Sequence, residues 1–229
     1  MAASWGVATL HEDAATRLTS VAAWSEQVVV GTADGLLLHL APPNDAPMAA
    51  PALVAQVRVS SKHAVVQMCA ADACGVLVLL LADGTVVPYE LPTLKPCGGT
   101  LERGVDCTSI TLLHATIASH CRLAAAGRKK LVLYRWRAAS GVGATTDGAA
   151  PLFDSEAAAF EPLADVALPE PIRWMGWGDE SQLWLALRGR YARLQVATLE
   201  MSDVLPIAAS KHATEPLGAP LEAGEALLL

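Results

Sequence analysis

A short strand–turn–strand unit, closed by glycine, recurs along this chain, and no other feature narrows the possible folds as much. Its clearest copy is Val21–Leu40, VAAWSEQVVVGTADGLLLHL. Val21–Trp24 is apolar and ends on an aromatic. Ser25–Gln27 is polar and suits a turn. Val28–Thr32 is β-branched almost throughout, which favours a pleated strand. Asp34-Gly35 supplies the positive φ of a tight hairpin, and Leu36–Leu40 returns as the partner strand. A sheet this small is not stable alone in water, so other parts of the chain must stack on it.

The later copies are ordered. The second, Val66–Leu91, has a lead-in at Gln67-Met68-Cys69, a strand at Val76–Leu81, Asp83-Gly84, and the return TVVPYEL. The third, Ile110–Trp136, has a strand at Leu123–Ala126, a turn at Gly127–Lys130 and the return LVLYRW. The fourth, Ile172–Val196, has the lead-in RWMGW, a strand at Leu183–Leu187, a turn around Gly189 and YARLQV. A fifth runs from Leu217 to Leu229 around Gly224. The turn glycines 35, 84 and 127 lie 49 and 43 positions apart, and the gap from 127 to 189 is 62. Several strands every 40–50 residues is the period of propeller blades. The short apolar runs bounded by glycine disfavour a helical solenoid. The expected fold is therefore all-β: a β-propeller of about four to five blades of antiparallel strands over residues 1–229. It is read as an incomplete N-terminal portion, with flexible inserts near 41–52 and 138–163.

Between the units, Met1–Thr19 reads as a polar lead-in that ends in a strand. Ala41–Pro51 holds four prolines and reads as a surface linker. Leu53–Ser60 alternates and reads as a connecting outer strand. Pro92–Thr100 is turn-rich, and Ala138–Ala150 is an Ala/Gly/Thr-rich loop. Ala164–Leu168 reads as an edge strand stopped by Pro169–Pro171. The apolar strand Ala226–Leu229 has no partner after it, so we expect a piece of a longer protein.

Composition removes several function classes. With 53% hydrophobic and 17% charged residues the chain is too apolar for disorder. Its longest unbroken apolar run, Val76–Ala82, is far short of the roughly 20 residues a spanning helix needs. Met1–Gly6 has no basic flank or apolar core of a secretory signal. Five cysteines at irregular positions argue against a disulfide framework and for a reducing compartment. A net charge of −7 disfavours nucleic acid or an anionic membrane surface as a direct partner.

The candidate chemistry is sparse. Cys69 and Cys74, with His114, His120 and Cys121, lack the second tight thiol pair of a structural zinc site, and buried thiols on strands are the preferred reading. His120-Cys121, read as adjacent strand residues on opposite faces, does not make a nucleophile–base pair. Gly127-Arg128-Lys129-Lys130 is the one basic cluster and reads as a hairpin tip open to an acidic partner. Trp24, Trp136, Trp174, Trp177 and Trp184, most of them at equivalent strand positions, are assigned to packing between sheets rather than to a carbohydrate or aromatic-cage site. No phosphate-binding loop, Gly-x-Ser-x-Gly elbow, His-x-x-x-His pair or dinucleotide fingerprint occurs. No catalytic, cofactor or metal residue is assigned.

Five stretches resemble the citron homology domain of the Vam-six/vacuolar protein sorting thirty-nine family, with the TGF-β receptor-associated protein group as a close relative. They are AAW…VVVGTADGLLLHL (Ala22–Leu40), VLVLLLADGTVVPYELPTL (Val76–Leu94), LAAAGRKKLVLYRWR (Leu123–Arg137), LPEPIRWMGWGDESQLWLALRGRYARLQV (Leu168–Val196) and EPLGAPLEAGEALLL (Glu215–Leu229). Order and spacing agree along nearly the whole chain, and Thr198–His212 matches poorly. The resemblance implies an N-terminal propeller followed by an α-solenoid and a zinc-binding end. It implies a subunit of a HOPS-type tethering complex that acts in vesicle-mediated protein transport, membrane fusion and autophagy. Its partners would be other tethering subunits and a late-endosomal Rab-type GTPase. Its place would be the cytoplasmic face of late endosomes, lysosomes or the vacuole, held there through partners. No functional residue is carried over, because the matching stretches are blade-forming.

Two other readings stand beside this one. A citron-type domain that binds Rho/Rab-family GTPases in kinase or signalling-receptor pathways usually follows other domains, whereas Met1 here lies almost at the first blade. A propeller enzyme predicts acidic or histidine residues recurring on the innermost strands, which read as almost purely apolar. A Trp-Asp-repeat scaffold is disfavoured because no Trp-Asp dipeptide occurs.

Overall fold

The computed structural model describes residues 16–42, 51–101, 107–113, 117–137 and 159–207, and the backbone of 218–220 and 226–228. Four of its sheets have four antiparallel strands in sequential order. Blade 1 holds β1 (Leu18–Trp24), β2 (Gln27–Thr32), β3 (Leu36–Ala41) and β4 (Ala52–Arg58). Blade 2 holds β5 (Val65–Ala71), β6 (Val76–Leu81), β7 (Val86–Glu90) and β8 (Lys95–Pro96). Blade 3 holds β9 (Ser109–Leu112), β10 (Arg122–Ala126), β11 (Lys130–Arg137) and β12 (Ala159–Ala167). Blade 4 holds β13 (Trp174–Asp179), β14 (Gln182–Ala186), β15 (Arg190–Gln195) and β16 (Glu200–Pro206). A two-stranded sheet follows, β17 (Gly218–Pro220) with β18 (Ala226–Leu228). The first strands of successive sheets meet in the order β1, β5, β9, β13, β17, so each blade's first strand lies innermost. This is an open, partial β-propeller.

Burial explains why the middle strands are so apolar. In β6 all six residues, VLVLLL, are buried. Val76, Val78 and Leu80 join the core between blades 2 and 3, while Leu77, Leu79 and Leu81 join the core between blades 1 and 2. Successive side chains point to opposite faces, so a strand packed on both sides needs apolar residues at every position. Each such side chain contributes about 1.5–3 kcal/mol by leaving water. In β10, Leu123 and Ala125 face blade 2 while Ala124 and Ala126 face blade 4. Outer strands are the opposite case: β16, EMSDVLP, is almost wholly exposed.

The inner strands, read as almost purely apolar, carry polar side chains that join the blades. Thr19 and Ser20 hydroxyls donate to the carbonyl of Val65 at 2.6 and 2.7 Å. The Gln67 amide donates to the Ile110 carbonyl at 2.6 Å and accepts from the Ile110 N–H at 2.9 Å. Trp177 Nε1 donates to the Thr111 carbonyl at 3.3 Å. An inner strand has a ladder partner on one side only, and these side chains satisfy backbone groups on its free edge.

Four further expectations change. Residues 159–163, placed in the second insert, belong to β12, whose Phe160 packs edge-on to Trp136 at 4.9 Å; residues 138–158 lie outside those described. Of the first insert, Ala41 closes β3 and Ala52 opens β4, and residues 43–50 are not described. β16 falls in a stretch given no strand, because its polar, solvent-facing sequence lacks alternation. The tryptophans are not equivalent. Trp24, Trp136 and Trp177 enter three different inter-blade cores, whereas Trp174 and Trp184 are half-buried and lie opposite Ala186 and Gly176 on the other face of blade 4.

Candidate functional site

The meander gives the arc two rims. One carries the first turn of each blade. Here Ser25, in the β1–β2 turn, donates its N–H to Asp72 Oδ2 at 3.1 Å. Asp72–Cys74 is a single 3-10 turn closed by Gly75 at φ 59°. Further along, Cys74 Sγ donates to the Ala118 carbonyl at 3.7 Å, and His120 Nδ1 meets Glu180 Oε1 at 2.5 Å. The three junctions between the four-stranded blades are thus each clasped on this rim by a contact between connections.

The other rim carries the second turns. Gly35 and Gly84 adopt φ values of 78° and 83°, as their Asp-Gly turns require. Gly127 and Gly189 do not share that conformation. Gly127 closes its hairpin by donating to the Lys130 carbonyl at 2.8 Å, and Leu187 does the same to Arg190 at 2.9 Å. The tips sort by charge. Blades 1 and 2 present Asp34 and Asp83, whereas blades 3 and 4 present Arg128, Lys129 and Arg188. Asp34 pairs with Arg58 at 3.8 Å and Asp83 with His63 at 3.6 Å. Lys130 pairs with Asp165 at 2.9 Å.

A cleft of about 580 Å³ opens where the acidic tips give way to the basic ones. Ala82, Asp83 and Gly84 line it from blade 2, and Cys107, Thr108 and Gly127–Lys130 line it from blade 3. Burial opposes ionisation of Asp83, but hydrogen bonds from Thr85 and the neighbouring His63 outweigh it and hold the carboxyl below its usual range. The Cys107 thiol is pushed up to about 11 by burial and donates to the carbonyls of Ser109 and Ala126 at 3.1 and 3.3 Å. It is therefore a poor nucleophile at neutral pH. The cleft offers fixed charge of both signs: cations for carboxylates, and an anion for an N–H or hydroxyl donor.

The thiol and histidine candidates separate. Cys69 is pushed up to about 11, mainly by burial, and its Sγ lies 4.0 Å from the Ile110 carbonyl. His120 ends a 3-10 turn rather than lying on a strand, and Cys121 follows it, buried. His120 turns to Glu180 and Cys121 to Cys74, so the two do not act together, for a different local reason than strand alternation. His114 lies outside the described residues. Among the described residues no three His, Cys, Asp or Glu side chains gather as a metal site would require, and no helix is long and apolar enough to cross a membrane. The basic cluster does form a hairpin tip, with Arg128 and Lys129 exposed. Asp83 and Thr108 were missed as its neighbours because nothing local in the sequence joins them to it.

No family model matches the chain, and no curated protein matches it. Among solved structures it is similar to the WD40 β-propeller domain of Doa1, at 12% identity and a TM-score of 0.53, over 80% of this chain and 53% of that one. It is also similar to Sqt1 of Saccharomyces cerevisiae, at 10% identity and a TM-score of 0.56, over 81% of this chain and 47% of that one. The chain spans about half the length of each. At such identity the likeness is one of fold, and it establishes the β-propeller.

Proposed function

We propose that this propeller is a non-catalytic binding platform whose second-turn rim receives an acidic protein segment. The observation that carries this is the cleft between blades 2 and 3, lined by exposed Arg128 and Lys129 together with Asp83, whose one lining thiol, Cys107, is not activated. Rigid sheets packed face to face hold the tips in place, and such loops are where recognition concentrates. Charge complementarity of this kind sets on-rate and partner choice.

Within that reading, the chain acts in an endosome–lysosome or vacuole tethering subunit. Its partners are other tethering subunits and a late-endosomal Rab-type GTPase, and membrane association runs through those partners. The five family-like stretches support this. The test immobilises the full gene product and measures binding of purified tethering subunits and of the GTPase in each nucleotide state. Recovery of at least one partner is expected, with binding weakened tenfold or more in the Arg128→Glu/Lys129→Glu variant. Recovery of neither overturns the tethering reading. Partner binding unchanged by the double reversal removes the cleft as the site and leaves the tether standing.

A further inference from the structure

All five cysteines of the chain lie in or against one hydrophobic core, that between blades 2 and 3. Cys107 and Cys121 are buried there, and Cys69, Cys74 and Cys97 are half-buried. Three of them are otherwise engaged or isolated. Cys69 approaches the Ile110 carbonyl and Cys107 those of Ser109 and Ala126, while burial and Glu90 raise Cys97. Cys74 and Cys121 differ, because they come together across the blade junction in one core, near enough for each thiol to shift the other's ionisation. One carbonyl holds both residues: Ala118 O accepts from Cys74 Sγ at 3.7 Å and from the Cys121 N–H at 3.1 Å.

We propose that Cys74 and Cys121 are a reversible disulfide site that locks blade 2 to blade 3, with a small disulfide such as glutathione disulfide as the oxidant. The position suits a lock. Cys74 ends one 3-10 turn and Cys121 follows another, so both lie in connections between strands and not within one. Neighbouring junctions on the same rim are clasped at the corresponding place by Ser25 with Asp72 and by His120 with Glu180. The two thiols also divide the roles that exchange needs. Cys74 is the more exposed, and the neighbouring Cys121 thiol favours its thiolate. Cys121 is fully buried and kept protonated, chiefly by the nearby Cys74 and then by burial, as a second, resolving thiol would be.

The exchange balances. The Cys74 thiolate attacks one sulfur of glutathione disulfide and expels a glutathione thiolate, which takes up a proton. Cys121 then gives up its proton, attacks the Cys74 sulfur of the mixed disulfide and expels the second glutathione. Two protein thiols are oxidised to one disulfide, and one glutathione disulfide is reduced to two glutathione molecules.

The test incubates the full chain in glutathione buffers of rising disulfide content, traps free thiols by alkylation and maps peptides without reduction. A Cys74–Cys121 linked peptide, two hydrogens lighter than its reduced parts, is expected as the main oxidised form. It should vanish on adding dithiothreitol, and the oxidised chain should unfold at higher urea than the reduced one. The Cys69→Ser variant keeps the link and Cys74→Ser abolishes it. Glutathione retained on Cys74 with Cys121 alkylated, or a link that joins Cys74 or Cys121 to a different cysteine, overturns the proposal. The wild-type map decides this even if a variant fails to fold.

Discussion

Gln67→Leu removes both hydrogen bonds that tie the inner strand of blade 2 to the backbone of blade 3, while nearly preserving side-chain volume. The wild-type amide reaches the Ile110 carbonyl at 2.6 Å and its N–H at 2.9 Å, and Ile110 is only 1% exposed. A typical hydrogen bond contributes about 0.5–1.5 kcal/mol net, and a polar group stranded in a buried site costs about 1–3 kcal/mol. Two bonds lost together, partly offset by the apolar leucine, give an expected destabilisation of about 2–4 kcal/mol. In a domain of this size that lowers Tm by roughly 5–15 °C. Urea titration followed by tryptophan fluorescence measures it, with an unchanged slope showing that the unfolding reaction is the same. Gln67→Glu separates geometry from volume. It keeps an acceptor for the N–H but sets a carboxylate oxygen against the Ile110 carbonyl, so it should destabilise at least as much at neutral pH and recover in acid. A Gln67→Leu protein within about 0.5 kcal/mol of wild type would refute the idea that polar staples join the blades.

Other changes probe other links. Gly31→Ala should cost about 1–3 kcal/mol, since a Cβ there would lie 2.4 Å from Ser20 Oγ and 2.9 Å from Val65 Cβ; adding Ser20→Ala should restore only part of the urea midpoint, because the Val65 contact remains. Leu79→Ala, in a site with no exposure, should lose about 2–5 kcal/mol by the same titration. His39 is buried beside Trp24, bonded to Gln27 at 2.7 Å, and burial lowers its pKa. The unfolded chain then binds the extra proton first, so this part of the stability is complete above about pH 6.5 and is lost as pH falls through the lowered folded value. Urea midpoints from pH 7.5 to 5 should decline, and His39→Phe should flatten that decline.

Some of this protein was written in short segments. The strand bounds of β6, the returns at β3, β7 and β11, and the Asp-Gly turns followed from apolar runs and backbone chemistry, because those are set within a few residues. The basic hairpin tip was legible for the same reason. Gln67 carried a faint signal as the one amide in the otherwise apolar lead-in of blade 2, but its meaning depends on a backbone 43 positions away. Hence the order of the strand–turn–strand units and their repeat period were readable, with a blade count bounded at about four to five. Tertiary structure alone decided which strand is innermost, why β16 tolerates solvent on most of its length, that Asp83 lines one cleft with Arg128 and Lys129, and that five scattered cysteines share one core. The reason is physical: pairing within a hairpin is local, whereas the packing of one sheet on the next joins residues that no neighbouring sequence constrains.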